Sequence, residues 1–144
     1  MAIRSFIDTN ILVYAEANDN PVKQQIALSL IKQLSTTANG VLSTQVLKEY
    51  CNVALKKLKL PPAHIRAQLD LYEQFEVVQV TPAIIRAGLD LHQTRSISFY
   101  DAIVRASAQT AGCAVLYSED MNAGETIDGV QIVNPFTAAL ASKA

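Results

Sequence analysis

Asp8, Glu49, Asp101 and Asp120 are the side chains of this sequence with the most chemistry to offer, because each stands in or beside a stretch that reads as core. Asp8 closes the segment AIRSFID, and Asp120 follows the apolar run AVLYS by two residues. Asp101 interrupts the start of an apolar helix. If such acids meet, two carboxylates about 4 Å apart repel by roughly 4 kcal/mol at an effective dielectric near 20. That is large against a net domain stability of about 5–15 kcal/mol. A cluster of this kind persists when some members stay protonated or when a divalent cation neutralises them. An all-oxygen donor set without Cys or His suits Mg2+ or Mn2+. One such ion, or a pair, activates water and stabilises charge on a phosphodiester during in-line displacement. The chemistry implied is metal-dependent phosphodiester hydrolysis.

Each acid also has a local explanation. Ser98 and Asp101 match a capping box, and Arg105 lies four residues on, at ion-pair spacing. Asp8 can cap the helix that follows, in competition with Thr9 and Asn10. Asp120 can begin a turn. Glu49 is harder to explain this way. Its helical neighbours Val46 and Val53 predict partly apolar surroundings, and neither Lys48 nor Lys56 is well placed to pair with it.

The elements that must position these acids alternate in type. The spacing predicts strands at 2–8, 41–44, 76–80, 114–118 and 130–134. Between them lie predicted helices. One runs over 20–38, with Asn20 as N-cap, Pro21 at N1 and Ile26, Leu30, Ile31 and Leu34 on one face. Another covers 45–60, with Leu47, Tyr50, Cys51, Ala54 and Leu58 in register, and Pro61-Pro62 break it. A third places Ile65, Leu69 and Tyr72 together. A fourth starts at Thr81-Pro82 and carries Ile85, Leu89 and His92 on its apolar face, and a fifth starts at Ser98 and ends near Gly112. The polar stretch from Glu119 to Gly129 reads as a loop. This alternation predicts an α/β sandwich around a mostly parallel sheet, in which ligands bind beyond the carboxyl ends of the strands. That rule would bring all four acids to one edge.

The bulk composition fits one domain over 1–144, half of it hydrophobic. Twelve basic residues against 13 acidic ones exclude an overall basic surface of the kind that marks strong nonspecific DNA binders. Cys51, Cys113, His64 and His92 show no zinc-site spacing. Two Cys and no secretory pattern predict reduced thiols in the cytoplasm, and no apolar run approaches the ~18 residues of a membrane span. A phosphatase of the haloacid-dehalogenase type needs a second Asp where Asn10 stands, and the acidic pair and phosphorylated Asp of a receiver domain have no counterparts here. Neither a GxGxxG nor a P-loop motif occurs.

The ordered set FIDTNILVY, STQVLKEYCNV, SFYDAIVRASAQTAGC and LYSEDMNAGETIDGVQIVNPF resembles the PIN-domain family, and within it the VapC-type toxins of bacterial toxin–antitoxin pairs. The resemblance runs from about residue 3 to residue 136. It implies a three-layer α/β/α sandwich with a parallel five-stranded sheet. It maps the family's acidic quartet onto Asp8, Glu49, Asp101 and Asp120, with Asn10 and Ser118 as supporting polar groups. Glu119 adjoins Asp120, so the fourth acid could be either. The implied activity is that of an endoribonuclease using Mg2+ or Mn2+ and metal-activated water. The implied partners are an RNA substrate, a cognate antitoxin protein that inserts a segment near the acids, and a second copy in a homodimer. Candidate RNA-contacting cations are Lys48, Lys56, Lys57, Lys59, Arg95 and Arg105, the last serving rather to position Asp101. The helices at 20–38 and 44–73 could offer the antitoxin a groove. The alternative is a noncatalytic PIN-like module that binds RNA or protein and keeps the acids for structure.

Overall fold

The computed structural model describes residues 3–138. The expected strand start at Ala2 and the outer ends of the domain expected over 1–144 lie outside the described residues. The elements follow in the order β1 (Ser5–Ile7), α1 (Thr9–Glu16), α2 (Pro21–Thr37), β2 (Gly40–Ser43), α3 (Thr44–Lys56), α4 (Pro62–Tyr72), β3 (Glu76–Val78), α5 (Pro82–Thr94), α6 (Phe99–Thr110), β4 (Val115–Tyr117), β5 (Thr126–Ile127) and β6 (Val130–Val133). The helix starts are written in the side chains. Asn20, Ser43, Thr81 and Ser98 each accept a hydrogen bond from a backbone N–H one turn into the helix that they begin.

The six strands form one sheet in the order β3-β2-β1-β4-β6-β5. β1 pairs in parallel with β2 and β4, β2 with β3, and β4 with β6. The sixth strand corrects the expectation of five. β5 adds antiparallel to β6 through Asp128-Gly129, both at positive φ (52° and 81°), as a tight two-residue hairpin requires. A two-residue strand is too short to show a period, so the sequence reads it as loop.

The chain moves outward in one direction from β1 to β3 and then crosses back to β4. Right-handed crossovers therefore put α1 to α4 on one face of the sheet and α5 and α6 on the other. The contacts agree: α1 packs on α2 and α3, α3 on α4, and α5 on α6. β1 is buried on both sides, with Phe6 and Ile7 inaccessible to solvent. The main core gathers Ile11, Leu12, Leu42, Tyr50, Leu116 and Ile132 around it.

One helix face differs from expectation. On α5 the buried residues are Ile84 and Gly88, whereas Ile85, Leu89 and His92 are exposed. Gly88 is the reason. A Cβ there would lie 2.9 Å from Ile103 Cγ1, so the bare backbone sets how closely α5 approaches α6 and rotates the apolar stripe outward. The helix expected over 45–60 stops at Lys56, and Lys59 turns to positive φ (53°) ahead of Pro61. β3 likewise ends at Val78, short of Val80.

Candidate active site

β1 lies between β2 and β4, so the strand order reverses at its carboxyl end, where an open α/β sheet leaves a crevice. Asp8 follows β1 directly and caps α1. Ser118, Glu119 and Asp120 follow β4. Glu49 comes from α3, which starts at the end of β2, and Asp101 from the first turn of α6, which runs back toward the amino end of β4. Asp8, Glu49, Asp101 and Asp120 all line one cleft of about 730 Å3, together with Asn10.

Asp8 is the buried member, 6 % exposed. Its Oδ1 accepts from the Thr9 backbone N–H at 2.8 Å and its Oδ2 from the Ser118 hydroxyl at 2.8 Å. Burial pushes its carboxyl up to about 6; the donors Ser118 and Thr9 pull against that, and the negative charges of Glu49 and Asp101 add to it. The Asn10 amide nitrogen reaches Asp120 Oδ2 at 3.0 Å, the Ser118 hydroxyl at 3.3 Å and Asp8 Oδ2 at 3.4 Å. Its carbonyl accepts from the Glu119 backbone N–H at 3.2 Å, and Asp120 donates its own N–H to Ser118 Oγ at 3.2 Å. Asn10 and Ser118 thus stitch Asp8 to the Asp120 corner. Glu49 is joined more loosely, accepting from Thr9 Oγ1 at 3.5 Å.

Glu119 turns the other way. It accepts a 2.7 Å hydrogen bond from the Tyr14 hydroxyl and pairs with Lys23, whose ammonium lies over the Tyr14 and Phe136 rings. Burial raises its carboxyl, but Lys23 and Tyr14 outweigh that and hold it below the usual range. Of the two adjoining acids it is Asp120 that lines the cleft.

Three local expectations need correction. Arg105 does not pair with Asp101. It is buried, 5 % exposed, and its guanidinium binds Glu125 at 3.2 Å, because the β5 hairpin brings Glu125 onto α6. Glu49 is exposed at the cleft wall rather than withdrawn from solvent, with the expected apolar neighbour Val53 on the same lining. His92 is exposed and contacts the Ile97 carbonyl at 2.7 Å. Of the expected cations, Lys57 lines the cleft. Sequence reasoning also missed Gln45, buried in the cleft wall and donating to the Tyr100 carbonyl at 3.2 Å, and Glu16, held by the Tyr50 hydroxyl and by His64 at 2.6 Å. Their signals were long-range contacts, which spacing does not carry.

The donor chemistry fits a hard divalent cation: Asp8, Glu49, Asp101 and Asp120 share the cleft with two further carboxylates, Glu16 and Asp19, and burial, with the charges of Glu49 and Asp101 adding to it, holds Asp8 neutral to a higher pH. Among the described residues, no three His, Cys, Asp or Glu side chains already stand close enough together to form a finished cage. Among the described residues, no helix is long and apolar enough to cross a membrane.

Comparison with known proteins places the fold. The PIN domain profile matches residues 5–126. The structure is similar to a toxin–antitoxin complex from Klebsiella pneumoniae, with TM-score 0.62 and 22 % identity over 91 % of this chain and 97 % of that one. It is similar to VapC20 of Mycobacterium tuberculosis, a toxin that cleaves the sarcin–ricin loop, with TM-score 0.64 and 21 % identity over 94 % of each chain. VapBC2 of Rickettsia felis, bound to a DNA fragment from its promoter, gives TM-score 0.61 and 18 % identity over 89 % of this chain and 96 % of that one. No protein of curated function matches the sequence.

Proposed function

The chain belongs to the PIN-domain family, and from that premise we propose that it is a metal-dependent endoribonuclease, the toxin of a type II toxin–antitoxin pair. Four acids remote in sequence line one cleft at the carboxyl edge of the sheet, and this is the observation that carries the reading. In it Asp8, Glu49, Asp101 and Asp120 are the catalytic carboxylates and would hold Mg2+ or Mn2+. When bound, the ion supplies Lewis-acid polarisation of the phosphate and a lowered pKa for water.

The chain's own residues do the rest. Ser118 and Thr9 fix the two oxygens of Asp8 by donation, so the carboxylate keeps one orientation whether or not an ion is bound. Asn10 holds Asp120 against the same corner. The capping bond from the Asp101 backbone N–H to Ser98 Oγ, 3.1 Å, sets the start of α6 and with it the position of Asp101. Lys57 lies on the same cleft and gives a phosphate chain an attractive charge beside the acids.

The same reading makes the protein a single PIN-like domain that acts in the cytoplasm, forms a homodimer and is silenced by a cognate antitoxin. Similarity of fold to the toxin–antitoxin and VapBC structures supports it. One observation favours a second reading, a noncatalytic PIN-like module that binds RNA or protein: no three of the acids are gathered into a finished cage among the described residues.

Purified protein incubated with total RNA in Mg2+ or Mn2+ separates the two. The nuclease reading expects discrete cleaved ends that vanish with chelator and with Asp101→Asn. RNA left intact in both ions, or cut equally by Asp101→Asn, overturns it in favour of the binding module.

A further inference from the structure

Tyr100 is the most solvent-exposed large apolar residue of the described chain, 68 % accessible, and it directly precedes Asp101. Such a residue on the solvent side of a helix start contributes nothing to the core. It lines the acidic cleft, and it also lines a second groove of about 650 Å3 whose other walls include Lys48, Val80, Ile85 and Ile103. Gln45 and Glu49 line both cavities too, so the groove continues the cleft.

The lining combines features that one ligand class needs together. Tyr100 offers an aromatic face beside the acids, with Phe99 tilted against it at 5.7 Å. Ile85 on α5, on the outward face beside the buried Gly88 contact, gives the groove an apolar wall. Lys48 adds a cation at the rim. Gln45 is 91 % buried, and its Nε2 is used on the Tyr100 carbonyl while its Oε1 has no hydrogen-bond partner. A buried amide acceptor left unpaired costs stability until a donor reaches it. A flat ring with N–H groups on its edge and a phosphate one bond-chain away satisfies all four features. A purely apolar partner would leave Gln45 and Lys48 unanswered.

We propose that this groove is a nucleobase subsite: an unpaired base next to the cleaved phosphate stacks on Tyr100 and presents an N–H to Gln45, while Lys48 takes the neighbouring phosphate. The inference rests on the nuclease reading and adds to it which residues of this chain would hold a base beside the cleaved bond. Gln45 Oε1 is itself closed to solvent, so the exposed Tyr100 side chain must move as the base enters.

The test uses a short single-stranded RNA carrying one 2-aminopurine, whose fluorescence falls on stacking, titrated against the full chain with chelator present so that nothing is cut. Tyr100→Ala, at an exposed position, and Tyr100→Phe, which keeps the ring, are compared with the parent; circular dichroism checks that both fold. Quenching by the parent and Tyr100→Phe, with about ten-fold weaker binding by Tyr100→Ala, is the expected result. Equal affinity and equal quenching in all three overturn the subsite. If the parent still cuts RNA in Mg2+ or Mn2+, only the subsite falls; if stacking is seen but nothing is ever cut, the nuclease reading falls and the base site stands. Sedimentation run alongside covers the remaining occupant: Tyr100→Ala turning a dimer into a monomer with RNA affinity per chain unchanged makes the groove a contact between copies and overturns the proposal.

Discussion

The Ser118 hydroxyl donates a 2.8 Å hydrogen bond to Asp8 Oδ2, joining the carboxyl ends of the two central strands β1 and β4. The bond is buried at both ends and favours the charged form of Asp8. Ser118→Ala removes it, and with it a partner for Asn10 and for the Asp120 N–H. The expected cost is about 1–3 kcal/mol by urea unfolding near neutral pH. The Asp8 carboxyl then titrates at higher pH than in the parent, as followed by NMR of its side-chain carbon. An Asp8 titration that does not move would show that this hydroxyl is not what restrains the carboxylate.

Asp8 itself makes the metal-free protein pH-sensitive, and the sign follows from its shift. Its folded value, about 6, lies above the ordinary 3.8, so the folded state holds the proton more tightly than the unfolded chain does. The stability that comes from this is fully present below the unfolded value and is lost as pH rises through the folded value. By neutral pH the ionised carboxylate costs the fold about 3 kcal/mol. Asp8→Asn removes that dependence, so in chelator its stability should stay flat between pH 4 and 7, roughly, while that of the parent falls. Adding Mn2+ should then raise the melting temperature of the parent and leave that of Asp8→Asn where it was. The reverse pattern, a parent that gains stability over this range without metal, is incompatible with a desolvated Asp8.

Arg105 and Glu125 lock the β5 hairpin to α6, the helix that carries Asp101. Glu125→Gln leaves the guanidinium buried with a weaker partner, and the Arg105 Nε already has none among the described residues. Because Glu125 is 29 % exposed at its side chain, solvent screens part of the loss, and the expected cost is about 1–2 kcal/mol. Asp101→Asn should not share this cost, since Asp101 is not the partner of Arg105. A double-mutant cycle pairing Arg105→Met with each acid checks the assignment. Coupling to Asp101 rather than to Glu125 would restore the pairing that helical spacing alone suggests.

That misassignment marks the limit of what spacing can say. Caps and breakers were legible because they act within one turn: Asn20, Thr81 and Ser98 each bond where their types predict. The convergence of the acids was legible because strand alternation and the crevice rule are topological. Arg105 was not, because an i,i+4 partner and a partner twenty residues away across a hairpin look the same until the hairpin is seen. The turned face of α5 was not legible either. Ile84 and Ile85 are equally apolar, and the choice between them is made by Gly88 meeting Ile103.

The adjoining acids Glu119 and Asp120 give the sharpest contrast in the site. Glu119 is occupied by Tyr14 and Lys23 on the outer helices, while Asp120 lines the cleft and is held by Asn10. Lys23 and Glu119 are 30 % and 22 % exposed at their side chains, so water screens part of their attraction. The carboxyl of Glu119 is depressed, hence its contribution is present above the ordinary 4.5 and lost as pH falls through the folded value. Glu119→Gln should therefore lose about 1 kcal/mol or less at neutral pH, lose nothing further in acid, and keep RNA cleavage within a few-fold of the parent. Asp120→Asn should do the opposite, folding as well as the parent and losing cleavage by about ten-fold or more. Side-by-side cleavage rates in Mn2+ with unfolding curves decide between them. Loss of cleavage by Glu119→Gln with Asp120→Asn intact would hand the fourth position to Glu119 and require the corner to turn over when an ion or RNA binds.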